Sequence, residues 1–204
     1  MSKKAGAVSA ETKENIIQAA KDEFAEHGFQ GTSLRKISAR AGVTTGAIYF
    51  FFEGKDDLFE TIISSVTKPF MEYMKAHYDA EHNNVKRDED ADLQISVQLI
   101  DFYFQSQQTW NILLQHMNHP AVSTFLDDFI DYSTDHYMYF ITEAEKASPK
   151  TNPVDRFAVH QFVHMQVDTM LTLISHNFKK EEMLFHSKTV TKMLHAAFTS
   201  LLTK

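Results

Sequence analysis

The sequence predicts an all-α protein: a three-helix head followed by a helical body, about nine helices in all. Three observations lead there. Glycine (6) and proline (4) are scarce in 204 residues, which disfavours a turn-rich β fold. Apolar residues recur at three- and four-residue spacings over long stretches, the period of a helix face. And near the N-terminus, glycines at 28, 42 and 54 punctuate short apolar-striped segments, as in a run of short helices.

Each element has its own signals. Ser9 to His27 carries a stripe of Ile16, Ile17, Ala20 and Phe24, with Ser9 as the expected N-cap. Gly28 suits the left-handed position just past the helix, and Phe29 can then fold back on Phe24. Thr32 or Ser33 caps a short second helix with Leu34, Ile37 and Ala41 inward. Thr44 caps a third, running through Tyr49. A long fourth helix starts near Asp56 with the stripe Leu58, Ile62, Val66, Phe70, Met74 and Tyr78; Pro69 inside it predicts a kink or break. Residues 79–92, DAEHNNVKRDEDAD, read as a charged linker.

From Leu93 the pattern fits both a strand and a helix. With no turn signals nearby, a helix is expected. A short helix follows over Trp110 to Asn118, then a long one opened by Pro120 and running to Ala144. ASPKTNP is a loop. Two final helices are expected over Val154–Phe178 and Lys180–Leu202. The resulting division is a head of residues 1–55 and a body of residues 56–204.

Composition narrows the function. Hydrophobic content of 43% and aromatic content of 12% predict a packed core. Without cysteine there is no disulfide, thiolate metal site or cysteine nucleophile. The N-terminus lacks the apolar segment of a signal peptide, and the longest apolar run is far short of a membrane span. A cytoplasmic protein with no membrane partner is the expectation. The net charge is −7, unevenly spread: residues 1–55 carry +2 and the rest −9, a basic head on an acidic body. Metalloprotease, hydrolase, nucleotide-loop and dinucleotide motifs are absent, so no enzyme and no cofactor is expected.

The segment AGVTTGAIYFFFEGK poses the functional question. Tyr49, Phe50, Phe51 and Phe52 run together, and four consecutive aromatics cannot share one helix face. Ile48 and Phe52, four apart, turn inward; of Phe50 and Phe51 at least one is expected to be exposed or packed on the fourth helix. Three short helices with a glycine turn between the second and third make a helix-turn-helix. In that motif the last helix enters the DNA major groove. Thr44 and Thr45 then offer hydroxyls to bases or phosphates. Gly46 lets the backbone come close, and Tyr49 gives its hydroxyl to a phosphate.

On these residues the chain resembles the TetR family of bacterial transcriptional repressors. The stretch IIQAAKDEFAEHGFQGTSLRKISARAGVTTGAIYFFFEGKDDLF carries the likeness, through Phe24, Gly28, Phe29, Thr32, Ile37, Ala41, Gly42, Val43, Gly46, Tyr49, Phe52, Lys55 and Leu58. The departures are Thr45 where Lys or Arg is common, Phe50 for His, Phe51 for Tyr, and Ser38 for a small apolar residue. The resemblance implies operator DNA contacts from Thr32, Arg35, Lys36, Thr44, Thr45, Gly46, Tyr49, Phe50 and Lys55. Arg40 is a further phosphate candidate.

It also implies a body that binds a small effector and pairs with a second copy through its last two helices. Phe70, Met74, Phe104, Trp110, Met117, Phe125, Phe129, Phe162 and Met165 are the candidate effector lining, suited to an apolar or aromatic ligand. His160, His164, Val167, Leu171 and Ile174 are the candidate homodimer face. His160 and His164 lie at the border of an apolar stripe, where histidines usually pack or bond a neighbour, and no metal is assigned to them. The competing reading is a helical small-molecule or haem-binding sensor or carrier with a degenerate DNA-binding head.

Overall fold

The computed structural model describes residues 2–83, 89–147 and 153–202, with side chains from residue 9 onward except residue 83. Among the described residues there are nine helices and no strand. They are α1 (Ser2–Gly31), α2 (Leu34–Arg40), α3 (Thr45–Phe51), α4 (Lys55–Asn83), α5 (Glu89–Gln105), α6 (Gln107–Gln115), α7 (Pro120–Ala147), α8 (Arg156–Ser175) and α9 (Lys180–Leu202). The all-α expectation holds.

Several boundaries differ from the sequence reading, each for a local reason. Helix α1 begins at Ser2, so Ser9 lies within it rather than capping it. The stretch read as a linker is largely helical: residues 79–83 extend α4 and Glu89–Asp92 open α5, with residues 84–88 outside the described residues. Glu89, Asp90 and Asp92 are the acidic first turn that a helix dipole favours. Helix α4 is continuous through Pro69. Helix α6 starts and stops three residues early. Asp155 caps α8 by accepting from Ala158 N–H, and the helix ends before Asn177, which takes φ 52°. Of the ASPKTNP loop, residues 148–152 lie outside the described residues.

The chain forms two compact units, residues 1–69 with 106–123 and residues 70–105 with 124–204. In the first, α1 packs on α2, α3 and α6. Ile16, Ala20, Phe24, Ile37, Ile48, Leu58, Phe59 and Ile112 are fully excluded from solvent. Gly28 takes φ 68°, and the next residue brings Phe29 back onto Phe24, ring centroids 5.7 Å apart. Phe59 meets both rings edge-on, at 5.4 and 5.1 Å.

Helix α6 is joined to this core by buried Ile112 and Leu113, by Gln108 donating to Asp22 at 2.8 Å, and by His116 at its end. Phe29 N–H donates to His116 Nε2 at 2.7 Å, and His116 Nδ1 lies 2.6 Å from Ile112 O. One neutral tautomer, with the proton on Nδ1, satisfies both. A Cβ on residue 28 would stand 3.6 Å from that Nε2.

The second unit is built around Ile130, Tyr137, Phe140, Ile141, Val159, Phe162, Val163 and Phe198, from α7, α8 and α9. Helix α5 packs on α9, tied by His195–Asp92 at 2.7 Å and Lys180–Asp101 at 2.8 Å.

Candidate nucleic-acid interface

The two helices of the motif are each fixed at their start by a hydroxyl. Ser33 accepts from Lys36 N–H and Thr44 from Ala47 N–H, each side chain satisfying an N–H that the first turn leaves unpaired. Between them Gly42 takes φ 68°, and Val43 N–H donates to Ser38 O at 3.0 Å. Ile37 and Ile48 are fully buried and anchor α2 and α3 from beneath. Thr45 faces α2, its hydroxyl 3.2 Å from that of Ser38.

What remains on the outer side of α3 is Thr44, Gly46, Tyr49 and Phe50, all exposed. The four aromatics divide cleanly. Tyr49 is 60% and Phe50 78% exposed, Phe51 is half-buried, and Phe52 is buried at 3%. Phe50 leans edge-on against Phe51 at 4.9 Å, so its ring is oriented although it faces solvent.

The cations are less available than the sequence implies. Lys55 donates to Phe29 O at 2.7 Å and Thr32 O at 3.1 Å and sits 4.1 Å from the Phe29 ring centre. Expected to meet a phosphate, it ties α4 to the α1–α2 turn in this structure through two of its three N–H donors. Thr32 is buried, its hydroxyl donating to Glu23 O. Arg40 makes two bonds to Glu26, at 2.8 and 2.6 Å, and another contact to Glu23 at 3.0 Å. That hydrogen bonding holds the Glu26 carboxyl below the ordinary glutamate value and raises Arg40. Lys36 donates to Gly31 O at 3.0 Å while staying exposed, and Arg35 is exposed. Sequence reasoning missed these internal ties because nothing in the residue types says which carbonyl a lysine meets.

The body residues divide as well. Phe70, Phe125 and Phe129 gather with Phe102, Phe70 lying 5.1–5.9 Å from each of the other three. Phe102 is the member the sequence reading left out. Met74 is buried and Phe104 half-buried in the same unit. Trp110 and Met117 belong to the first unit. Phe162 is part of the α7–α8–α9 core, and Met165 is exposed on α8. His160, His164, Val167, Leu171 and Ile174 are all half-buried on α8.

Residues 16–62 match the family model described as bacterial regulatory proteins, tetR family. The HTH-type transcriptional repressor BepR of Brucella suis is 44% identical over 78 residues, 38% of this chain and 37% of that protein. The HTH-type transcriptional regulator AcrR of Shigella flexneri is 42% identical over 62 residues, 30% and 29% of the two chains. The chain thus spans about a third of the length of these curated relatives.

Solved structures are similar along most of the chain. A TetR-family transcriptional regulator of Syntrophomonas wolfei has a TM-score of 0.63 at 21% identity, covering 91% and 95% of the two chains. The regulator FadR of Bacillus subtilis in complex with stearoyl-CoA gives 0.62 at 17%, covering 89% and 96%. A SmeT–triclosan complex gives 0.61 at 23%, covering 91% and 90%. At these identities the likeness is one of fold.

Proposed function

We propose that the chain, whose residues 16–62 match the tetR family of bacterial regulatory proteins, is a transcriptional repressor that binds operator DNA as a homodimer and answers to an apolar or aromatic effector. The exposed face of α3, inside the matched segment, carries the reading. Thr44 and Tyr49 are hydroxyl donors for phosphates or base edges. Gly46 leaves room for the sugar-phosphate backbone. Phe50 offers an apolar surface to a thymine methyl group. Arg35 and Lys36, at the exposed start of α2, supply the positive charge.

The dimer is assigned to α8 and α9. Phe157 and Met165 on α8, and Phe185 and Met193 on α9, are exposed beside the half-buried Val167, Leu171 and Ile174. A homodimer lets a seven-residue recognition helix suffice, since two half-sites are read together. The effector is assigned to Phe70, Met74, Phe104, Phe125 and Phe129. Phe70 and its aromatic neighbours favour an apolar or aromatic ligand.

Selection from random duplex DNA tests the reading. The expected product is an inverted repeat bound by two chains. Gly46→Leu should abolish its binding while leaving the fold intact, because a Cβ there meets only Thr44 Oγ1 at an ordinary 3.7 Å. No enriched sequence, or a Gly46→Leu variant that binds as tightly as the parent, would overturn it.

A further inference from the structure

We infer that His160 and His164 on α8 form a two-nitrogen chelate for one divalent transition-metal ion of the zinc, copper and nickel group. Their rings lie 4.6 Å apart at 80° to one another, and their Nε2 atoms converge to 3.1 Å. His160 is backed by a hydroxyl. Thr134, fully buried, donates its hydroxyl to Ile130 O at 2.7 Å. The Thr134 oxygen lies 3.2 Å from His160 Nδ1, and with its own proton committed it accepts. That arrangement fits the His160 tautomer with its proton on Nδ1, which leaves Nε2, 3.1 Å from His164 Nε2, as the unprotonated nitrogen.

This relay, from imidazole N–H to hydroxyl to backbone carbonyl, is the kind of outer-shell partner that orients a metal-ligating histidine. Asp131 Oδ1, 3.9 Å from the same Nδ1, adds negative potential behind the ring, shared with Arg156 at 3.5 Å. Two imidazole–metal bonds of about 2.0–2.1 Å drawn to nitrogens 3.1 Å apart meet at roughly 95–100°. That lies between the angles of square or octahedral and of tetrahedral sites.

Among the described residues no group of three metal-ligating side chains converges, so the chain supplies two ligands and solvent the others. In the single chain an open hollow of about 410 Å³ beside His164, lined by Gln161, Met165, Asp168, Thr169 and Thr172, gives that solvent access; Met165 also lies on the α8 face assigned to the dimer, so pairing there would cover part of the hollow. Imidazole selects zinc, copper or nickel over calcium and magnesium. Two protein ligands make the site weaker than a four-ligand structural one.

The site is complete in one chain and does not depend on the regulatory reading. Zn²⁺ calorimetry and Cu²⁺ electron paramagnetic resonance on the full chain test it, with His160→Ala, His164→Ala and Thr134→Val compared with the parent. Circular dichroism confirms each fold. The parent should bind one ion per chain with nitrogen hyperfine structure from two imidazoles. Either histidine variant should lose that class of site, leaving only the background of the other histidines. Thr134→Val keeps both rings and should weaken binding about 10–100-fold.

If His164→Ala titrates like the parent within twofold, the pair is only an N–H···N hydrogen bond and the inference falls. Should Thr134→Val not fold, the two histidine variants decide the matter. Sedimentation of the same samples separates this from the dimer: a monomer that still chelates overturns the dimer alone, and a dimer that does not chelate overturns the metal alone.

Discussion

At the scale of single residues, the head depends on side chains that sequence alone reads as something else. His116, half-buried, accepts a backbone N–H through Nε2. Replacing it with alanine leaves Phe29 N–H without its acceptor, at a cost of about 1–3 kcal/mol. A fall in the urea midpoint at unchanged slope is the expected result. Lys55 and Arg35 make the converse pair. Lys55 is spent on two carbonyls and an aromatic face, whereas Arg35 is exposed. Arg35→Ala should therefore reduce the salt dependence of DNA binding by about one unit of slope. Lys55→Ala should lower the melting temperature of the protein and leave that slope unchanged. A slope that responds to Lys55 and not to Arg35 would reverse the assignment.

At the scale of elements, α3 and the α8–α9 pair both present exposed apolar side chains. On α3, Tyr49 and Phe50 stand out beside a glycine, over a helix pinned by Ile48. On α9 the outward positions Phe185, Thr189, Met193, Ala196 and Ser200 recur every three or four residues. Phe185 and Met193 are 69% and 67% exposed, so an aspartate at either costs the isolated chain little. In a dimer the same change buries an unpaired charge. Phe185→Asp with Met193→Asp should convert a dimer to folded monomers by analytical ultracentrifugation. Dimers that survive both changes would place the interface elsewhere. Val167 and Leu171, half-buried in their own unit, are poorer probes because a charge there also disturbs the chain itself.

At the scale of the whole molecule, α4 and α7 both have residues in the two units; α4 is divided near its middle, Lys55–Pro69 in the first and Phe70–Asn83 in the second. Its second half contributes Phe70 and Met74 to the assigned effector lining. An effector acts on DNA affinity only through unequal affinity for the DNA-bound and free states. Coupling of about 1–3 kcal/mol corresponds to a change of about 5–150-fold in operator affinity. Apolar compounds that raise the melting temperature should shift the operator titration by a factor in that range, and Phe70→Ala should remove both effects. A stabilising compound that leaves operator affinity unchanged is not the effector.

The sequence by itself determined the helical class, the helix-turn-helix and the aromatic sorting at α3. These follow from local rules: glycine for a left-handed φ at residues 28 and 42, a hydroxyl at the starts of α2 and α3, and a period that sends Ile48 and Phe52 inward. Helix versus strand after Leu93 was settled there by the lack of turn signals. Only the tertiary structure decided where long side chains end. Lys55 and Arg40 carry charges that any phosphate would suit, yet carbonyls and carboxylates from distant positions reach them first. Trp110 and Met117 share their chemistry with Phe70 but lie in the other unit. The His160–His164 spacing is plain in the sequence. The buried Thr134 that bonds His160 is 26 residues away, and only packing brings α7 behind that ring. Periodicity encodes which way a residue faces along its own helix, whereas the partner it meets depends on how the helices dock.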